Sequence, residues 1–150
     1  MIEYRGVFHF EADRDTLWDA ISAIDAFPRW APWLHDLERD GPWPETGTVI
    51  TFAVVSPLPH RMDLSVELTD VSPHNHIEAR VRRDLEGHGR LTARELDDGT
   101  EVELTWSVMP RARILQTLLK LSGPFVRWTQ EWAVRAAVAG VKRKLRDGLA

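Results

Sequence analysis

The alternation of apolar and polar positions between residues 48 and 108 predicts a series of β-strands. Residues 48–55 are apolar on both faces, which is typical of a well-buried strand. In the segments that follow, one face is apolar and the other carries charged or hydroxyl side chains. Asp98-Gly99 is a strong hairpin signal, so we expect neighbouring strands to pair antiparallel. The apolar positions of these segments are Met62, Leu64, Val66, Leu68, Ile77, Ala79, Val81, Leu91, Ala93, Val102, Leu104, Trp106 and Val108.

Other elements precede and follow these strands. Residues 4–10 alternate and predict a first strand, and Asp13 is placed to cap the helix that comes next. A second short helix is expected at about residues 24–30. After Pro110 the apolar spacing becomes helical and continues to about Leu145.

The long C-terminal helix carries two apolar stripes, and the pattern leaves open which of them faces the sheet. The other stripe would meet the short helices, a partner chain or a ligand. The first stripe consists of Leu121, Phe125, Trp128, Trp132, Ala136 and Ala139, and the second of Val134, Val138, Val141 and Leu145.

Together the elements predict an α+β fold in which a curved antiparallel sheet of about six or seven strands wraps around the C-terminal helix. Two short helices follow the first strand. With 150 residues and a mass of 17.2 kDa, the chain is expected to form one domain over residues 1–150, because two separate cores would be marginal. Cross-strand ion pairs are expected on the solvated outer face, among Glu67, Glu78, Arg80, Arg82, Arg90, Arg94, Glu101 and Glu103.

Composition narrows the classes of function. The formal net charge is -4, which disfavours nonspecific binding of nucleic acid. The absence of cysteine excludes disulfides, thiolate zinc sites and cysteine nucleophiles. Because the sequence has no histidine pair at helical metal-site spacing and no phosphate-binding loop motif, we expect neither a metal nor a cofactor. A secretory signal and a membrane span are both missing from the pattern, so a cytoplasmic protein without an integral membrane segment is expected.

The predicted inner face of the sheet holds almost no ionisable side chain. This favours binding of a small apolar molecule over acid–base catalysis, which needs a titratable group in the cleft. His60, His88 and Arg111 are the candidate polar groups of such a cavity, although a surface position is the commoner outcome for each. The seven tryptophans, against one tyrosine, suggest a lining with wide flat surfaces.

Several motifs carry a family resemblance. They are Phe8-His9-Phe10-Glu11-Ala12, Leu17-Trp18, Phe27-Pro28-Arg29-Trp30-Ala31-Pro32-Trp33, Gly47-Thr48-Val49, the hairpin Asp98-Gly99-Thr100-Glu101-Val102 and the long final helix. Together they resemble the START-like, or helix-grip, superfamily (SRPBCC), which includes polyketide cyclase/dehydrase-like and birch-pollen-allergen-like proteins. Asp13 and Arg14 stand where proline is common in that family. The resemblance extends over nearly the whole chain and implies the helix-grip fold, but one fold hosts many functions.

The resemblance also places candidate ligand contacts. In helix-grip relatives the region of residues 27–33 lies near the cavity entrance, so Trp30 and Trp33 are candidates for contact with a flat ligand. Aromatic side chains that simply close the end of the core are an equally good interpretation. The full set predicted to line the ligand is Trp30, Trp33, Met62, Leu64, Val81, Leu91, Trp106, Phe125, Trp128 and Trp132.

Three functions are therefore compared. The first is binding, or transport, of a small hydrophobic or aromatic molecule in a cavity between the sheet and the C-terminal helix. The second is an enzyme resembling polyketide aromatase/cyclases or dehydrases, which requires at least one buried His, Arg, Asp or Glu aimed at the cavity. The third is a protein-interaction module that uses an exposed apolar helix face, with a homodimer as its milder form.

Overall fold

In the computed structural model, the described residues are 2–23, 31, 33–55, 61–111, 113, 116 and 123–149. Within this part of the chain, seven strands form one antiparallel sheet in the order β1-β7-β6-β5-β4-β3-β2. The elements are β1 (Ile2–Phe10), α1 (Arg14–Ser22), β2 (Leu34–Asp40), β3 (Val49–Val54), β4 (Met62–Ser72), β5 (His76–Arg83), β6 (Leu85–Leu96), β7 (Gly99–Pro110) and α2 (Gly123–Leu149).

The predicted α+β class, with a curved antiparallel sheet and a long C-terminal helix, is confirmed. One strand, β2, is present where the sequence analysis expected no element. It forms an edge of the sheet, and most of its side chains are exposed, so its sequence lacks the apolar alternation of a covered strand. The second short helix, expected at residues 24–30, lies outside the described residues.

Helix α1 begins as its sequence predicts. The Asp13 carboxylate accepts a hydrogen bond of 2.7 Å from the Thr16 backbone N–H, which satisfies one of the unpaired donors of the first turn. This bond also holds the pKa of the Asp13 carboxyl below its usual value. Leu17 and Trp18 are buried on the side of the helix that contacts the core.

A continuous hydrophobic core fills one end of the space between the sheet and the helices. Two members of helix α2, Val141 and Leu145, join side chains from α1 and from the inner face of the sheet. The cluster consists of Phe10, Leu17, Trp18, Ala20, Ile21, Leu68, Ile77, Ala93, Val102, Val141 and Leu145.

The orientation of α2 follows from the burial of its stripes. Val134, Val141 and Leu145 are buried, and Val138 packs against the core, so the second apolar stripe faces the sheet. In the first stripe, Trp128 and Ala139 are exposed, whereas Trp132 and Ala136 are half-buried. Among the described residues, no helix combines the length and the apolar character that crossing a bilayer requires.

The outer face of the sheet carries the expected cross-strand ion pairs. Arg94 lies 3.2 Å from Glu101, and Arg90 lies 3.5 Å from Glu78. Glu103 also has a partner, Arg5, at 3.3 Å. Because these side chains are largely exposed, each pair contributes little to stability.

Candidate functional site

The inner face of the sheet is packed at one end and partly accessible at the other. Near α1 its side chains belong to the buried core. Farther along the same strands Val54, Leu64 and Val108 are buried, but other apolar side chains keep part of their surface exposed. These half-buried apolar side chains are Tyr4, Phe52, Met62, Val81, Leu85, Leu104 and Trp106. The register places Leu104, Trp106 and Tyr4 on neighbouring positions of β7 and β1. The accessible end is therefore an apolar surface that lies on the face covered by α2.

Trp106 is the centre of this surface. Its indole ring stacks on the Tyr4 ring with 4.4 Å between centroids and 19° between planes. Its Nε1–H donates a hydrogen bond of 2.8 Å to the Gln130 side-chain oxygen on α2. The half-buried indole thus links the sheet to the first half of the helix. Stacking on Tyr4 and the hydrogen bond to Gln130 together hold its orientation. We call Tyr4, Val81, Leu104, Trp106 and Gln130 the Trp106 site.

Two glycines of β6 lie beside the indole on the inner face of the sheet. Gly89 pairs directly with Trp106, and Gly87 pairs with Val108 in the neighbouring position, so neither places a side chain on the inner face. On β1, a Cβ at Gly6 would lie 2.5 Å from the Tyr4 hydroxyl, so the absence of a side chain there allows the tyrosine to lie along its own strand.

Tyr4 is the ionisable residue of the Trp106 site. Burial raises its pKa above the usual 10.0, the negative charge of Glu131 adds to the increase, and Arg135 opposes it. Glu131 and Arg135 also form an ion pair of 3.7 Å along the exposed side of α2. Tyr4 is therefore protonated near neutral pH and can donate a hydrogen bond to a carbonyl or hydroxyl oxygen.

A second tryptophan fixes the segment before β2 to the same part of α2. The Trp33 Nε1–H donates a hydrogen bond of 3.0 Å to the backbone oxygen of Ala133, and the Trp33 carbonyl accepts one of 2.8 Å from the Val55 N–H. Trp33 is half-buried, so it closes one side of the contact between the helix and the edge of the sheet.

Two hollows border or lie near this surface. One, of about 310 Å³, is lined by the outer-face residues Glu3, Arg5, His88, Thr105 and Ser107 together with Tyr4 and Trp106. The other, of about 320 Å³, lies on α2 and is lined by Trp128, Glu131, Trp132, Arg135 and Ala136.

The predicted ligand-lining residues fall into three groups. The register of the sheet brings Met62, Leu64, Val81, Leu91 and Trp106 onto one inner face, on neighbouring strands. Trp33 reaches α2 from the side, whereas Trp128 and Trp132 line the hollow on the helix. Trp30 and the side chain of Phe125 lie outside the described residues.

The candidate polar groups are not gathered at the Trp106 site. His88 lies on the outer face between Gly87 and Gly89, which face inward, and this placement does not support a position at the mouth of an inner cavity. Arg111 is exposed and forms an ion pair of 3.3 Å with Glu86. His60 lies outside the described residues.

Three residues of the Trp106 site, Tyr4, Leu104 and Gln130, were not among the predicted ligand contacts, although Leu104 was expected on the inner face. Tyr4 occupies an inner position of the alternating segment 4–10, and Gln130 continues the stripe of Val134, Val138, Val141 and Leu145 toward the start of the helix. Gln130 is a polar residue on an otherwise apolar stripe. Once that stripe is known to face the sheet, such a residue indicates a polar contact with the sheet.

The described residues include few buried polar side chains. Their buried polar side chains are Thr48 and Thr100, and each donates its hydroxyl to a backbone carbonyl, of Pro42 and Ala12 respectively. Within the same residues, no group of three His, Asp or Glu side chains is arranged to hold a metal ion.

Solved structures show the same fold. The chain aligns with TTHA0849 from Thermus thermophilus over 99% of its length and 100% of that protein, with 15% identity and a TM-score of 0.78. The Zhui aromatase/cyclase from Streptomyces sp. R1128 aligns over 99% and 96% of the two chains, with 15% identity and a TM-score of 0.79. Ara h 8.0201 aligns over 97% and 98%, with 9% identity and a TM-score of 0.65.

At these identities the similarity shows the shared helix-grip fold. No curated protein sequence matches the chain. The family model described as polyketide cyclase / dehydrase and lipid transport matches residues 1–146, nearly the whole sequence. The strand order, the terminal helix and this match agree, and the chain belongs to the polyketide cyclase/dehydrase and lipid transport family, within the SRPBCC helix-grip superfamily.

Proposed function

We propose that the protein binds a small apolar molecule that contains a flat ring, at the Trp106 site between the sheet and α2. The observation that carries the proposal is the half-exposed apolar surface around Trp106, on the face of the sheet that the helix covers. Interior apolar side chains of a domain this size are normally in close contact, so accessible ones on the covered face favour a ligand in that space.

The Trp106 site has the features that recognise a ring. The Trp106 indole and the Tyr4 ring supply flat apolar surface, while Gly89 leaves the adjacent position without a side chain. Removing about 200 Å² of apolar surface from water contributes roughly 5 kcal/mol before the entropic cost of association. Apolar contact is thus the main source of affinity, and it selects for shape more than for polar groups.

Tyr4 and Gln130 give the ligand its polar preference. The Tyr4 hydroxyl is protonated at neutral pH, as an ordinary tyrosine is, and burial raises its pKa further, so the ligand is expected to carry a carbonyl or hydroxyl oxygen at one edge. The Gln130 amide oxygen already accepts from Trp106, which leaves its NH₂ group as a donor to the same edge. Each such hydrogen bond contributes about 1 kcal/mol.

Calorimetric titration with fused-ring phenols and quinones tests the binding proposal, with their saturated counterparts as the comparison set. Gly89→Val adds methyl groups beside Trp106, and we expect it to weaken binding of the ring compounds about tenfold. Ala139→Val makes the same kind of addition on the exposed side of α2 and is expected to leave the affinity unchanged.

The binding proposal fails if no ring compound binds. It also fails if Gly89→Val and the unmodified protein bind equally well while both remain folded by circular dichroism.

A cyclase-like enzyme is the second candidate, and the protonated Tyr4 hydroxyl at the edge of an apolar surface favours it. A neighbour by fold is described as an aromatase/cyclase, and the family description includes polyketide cyclases. Aldol ring closure joins an enol carbon to a ketone carbon, and dehydration then releases water. Hydrogen bonding from Tyr4 to the reacting ketone oxygen would promote the first step.

The enzyme candidate is tested with a linear poly-β-ketone thioester and mass spectrometry of the products. An enzyme would give a ring product that has lost water faster than the buffer control does. Tyr4→Phe would then lower kcat by about a hundredfold, well beyond the roughly fivefold loss of affinity that one ligand hydrogen bond accounts for. A product rate equal to that of the buffer would exclude this candidate while leaving the binding proposal intact.

A further inference from the structure

We propose that the outward side of α2 docks on the surface of an anionic lipid bilayer. Trp128, Trp132, Arg135, Ala139 and Arg143 follow one another at three- and four-residue spacing, so they share one side of the helix. We call these five residues the outer α2 face. This side is opposite the stripe of Val134, Val141 and Leu145, which is buried against the sheet and the core.

Exposure supports the assignment. The Trp128 side chain is 49% exposed, which places it among the most exposed large apolar residues of the described chain. Arg135, Ala139 and Arg143 are exposed, and Trp132 is half-buried. The hollow of about 320 Å³ on this side is bordered by both indoles and by Ala136. The outer α2 face thus combines accessible aromatic surface with guanidinium groups.

The distribution of charge indicates the sign of the partner. Residues 111–150 contain nine basic and two acidic residues, a net charge of +7, whereas residues 1–110 contain ten basic and 21 acidic residues, a net charge of -11. The sum of the two is the -4 of the whole chain. This asymmetry orients the molecule near a negative surface with its C-terminal part toward it. A second copy fits poorly, because two basic faces repel each other.

The chemistry of the outer α2 face matches the region of lipid headgroups. Tryptophan is enriched at that depth because its ring is apolar and its N–H is polar, and arginine pairs with lipid phosphate. The acidic side chain beside the face, Glu131, is paired with Arg135 at 3.7 Å. An apolar and basic helix face lying along the interface requires no membrane-spanning segment.

Vesicle flotation tests the docking proposal without any bound ring compound. We expect the protein to float with vesicles of phosphatidylcholine mixed with phosphatidylglycerol, and to stay in solution with phosphatidylcholine alone. In about 1 M salt, where screening acts over about 3 Å, the bound fraction should fall sharply.

Matched variants assign the binding to one face. Arg143→Gln should weaken partitioning about fivefold, and Trp128→Ala about tenfold. Arg94→Gln removes the same charge from the outer face of the sheet, where Arg94 pairs with Glu101, and should leave partitioning unchanged.

The docking proposal is overturned if the protein fails to float with anionic vesicles at low salt, or if Arg94→Gln weakens binding as much as Arg143→Gln. Light scattering tests whether a second copy of the chain occupies the outer α2 face instead. A dimer in solution that Trp128→Ala converts to a monomer would assign the face to a second copy instead. Calorimetric titration with ring compounds involves no vesicles, so its outcome and that of the flotation assay are independent.

Discussion

Gly87 and Gly89 both face inward from β6, but a methyl group at the two positions would meet different surroundings. A Cβ at Gly87 would overlap the carbonyl oxygen of Ser107 and lie 2.7 Å from the Cα of Val108, so the backbone itself would have to move. A Cβ at Gly89 would lie 3.6 Å from the Trp106 Cβ, which is an ordinary contact.

We therefore expect Gly87→Ala to destabilise the fold by about 2 kcal/mol or more, because overpacking against backbone is hard to relieve. Gly89→Ala should be neutral or stabilise by up to about 1 kcal/mol, through a smaller entropy of the unfolded chain. Urea denaturation of both variants measures the difference. Equal effects would mean that β6 and β7 do not approach as closely as the described geometry requires.

The single tyrosine makes one titration directly observable. Since Tyr4 is the only tyrosine, tyrosinate absorbance in the ultraviolet reports its ionisation alone. Its pKa is raised mainly by burial, so we expect a midpoint above 10.0 in the folded protein and a return to the usual value in denaturant. A midpoint at or below 10.0 in the folded state would contradict the buried position of the hydroxyl.

The same shift sets a stability trend. Below pH 10.0 the Tyr4 hydroxyl keeps its proton in both the folded and the unfolded state, so its ionisation does not lower the free energy of unfolding. As the pH rises further, the unfolded chain ionises first, so the free energy of unfolding falls until the pH passes the folded pKa. Tyr4→Phe should remove this part of the fall, which denaturation curves measured above and below pH 10.0 would show.

Residue-level prediction of the candidate site was partial for a physical reason. Alternation within strands correctly brings Trp106, Val81 and Leu91 to one face, because the side-chain period of a strand is fixed. Gln130 was missed because its role depends on which side of α2 turns inward. Packing against the sheet decides which side turns inward. In the sequence, the stripe that contains Trp128 and Trp132 is as apolar as the one that faces the sheet.

At the scale of elements, the stripe on α2 carries much of the attachment between helix and sheet. Leu145 is 7% exposed and belongs to the core cluster. We expect Leu145→Ala to lower the free energy of unfolding by about 3 kcal/mol, through lost burial and the remaining cavity.

Arg143, two positions away on the exposed side, provides the control. Arg143→Gln should change the unfolding midpoint in urea very little. If the two substitutions had equal effects, the assignment of the facing stripe would be wrong.

The elements themselves were predicted where their pattern reflects burial on one side. Residues 62–69 alternate because the inner face of β4 meets apolar neighbours while its outer face is solvated, and the strand is found there. β2 escaped prediction because its edge position leaves both faces largely exposed, as the burial of Leu34–Asp40 shows. Alternation of apolar and polar residues reflects the burial of one face of a strand. A strand with little burial, such as β2, therefore shows little alternation from which to predict it.

At the scale of the whole molecule, the packed end and the accessible end should differ in stability. The core between α1 and the last turns of α2 holds its backbone amides in a buried environment, whereas the first half of α2 contacts the half-exposed Trp106 site. We expect faster hydrogen exchange at Gln130–Ala133 than at Val141–Leu145 in the free protein.

A bound ring compound should slow exchange at Gln130–Ala133 and raise the melting temperature, since binding to the folded state alone stabilises it. Mass spectrometry of exchanged peptides measures both segments in one sample. Slower exchange confined to Val141–Leu145 on addition of the compound would place the ligand elsewhere.

The pairing of β1 with β7 constrains the order in which the chain acquires its shape during synthesis. Ile2 lies opposite Val108, and β7 also pairs with β6, so β1 has no neighbour in the sheet until residues 99–110 have been synthesised. Joining segments so distant in sequence costs loop-closure entropy, and sheets built this way fold slowly, on the order of milliseconds to seconds. Until β7 is in place, Tyr4 and Phe8 of β1 lack the neighbours, Trp106 and Val102, that lie beside them in the folded sheet.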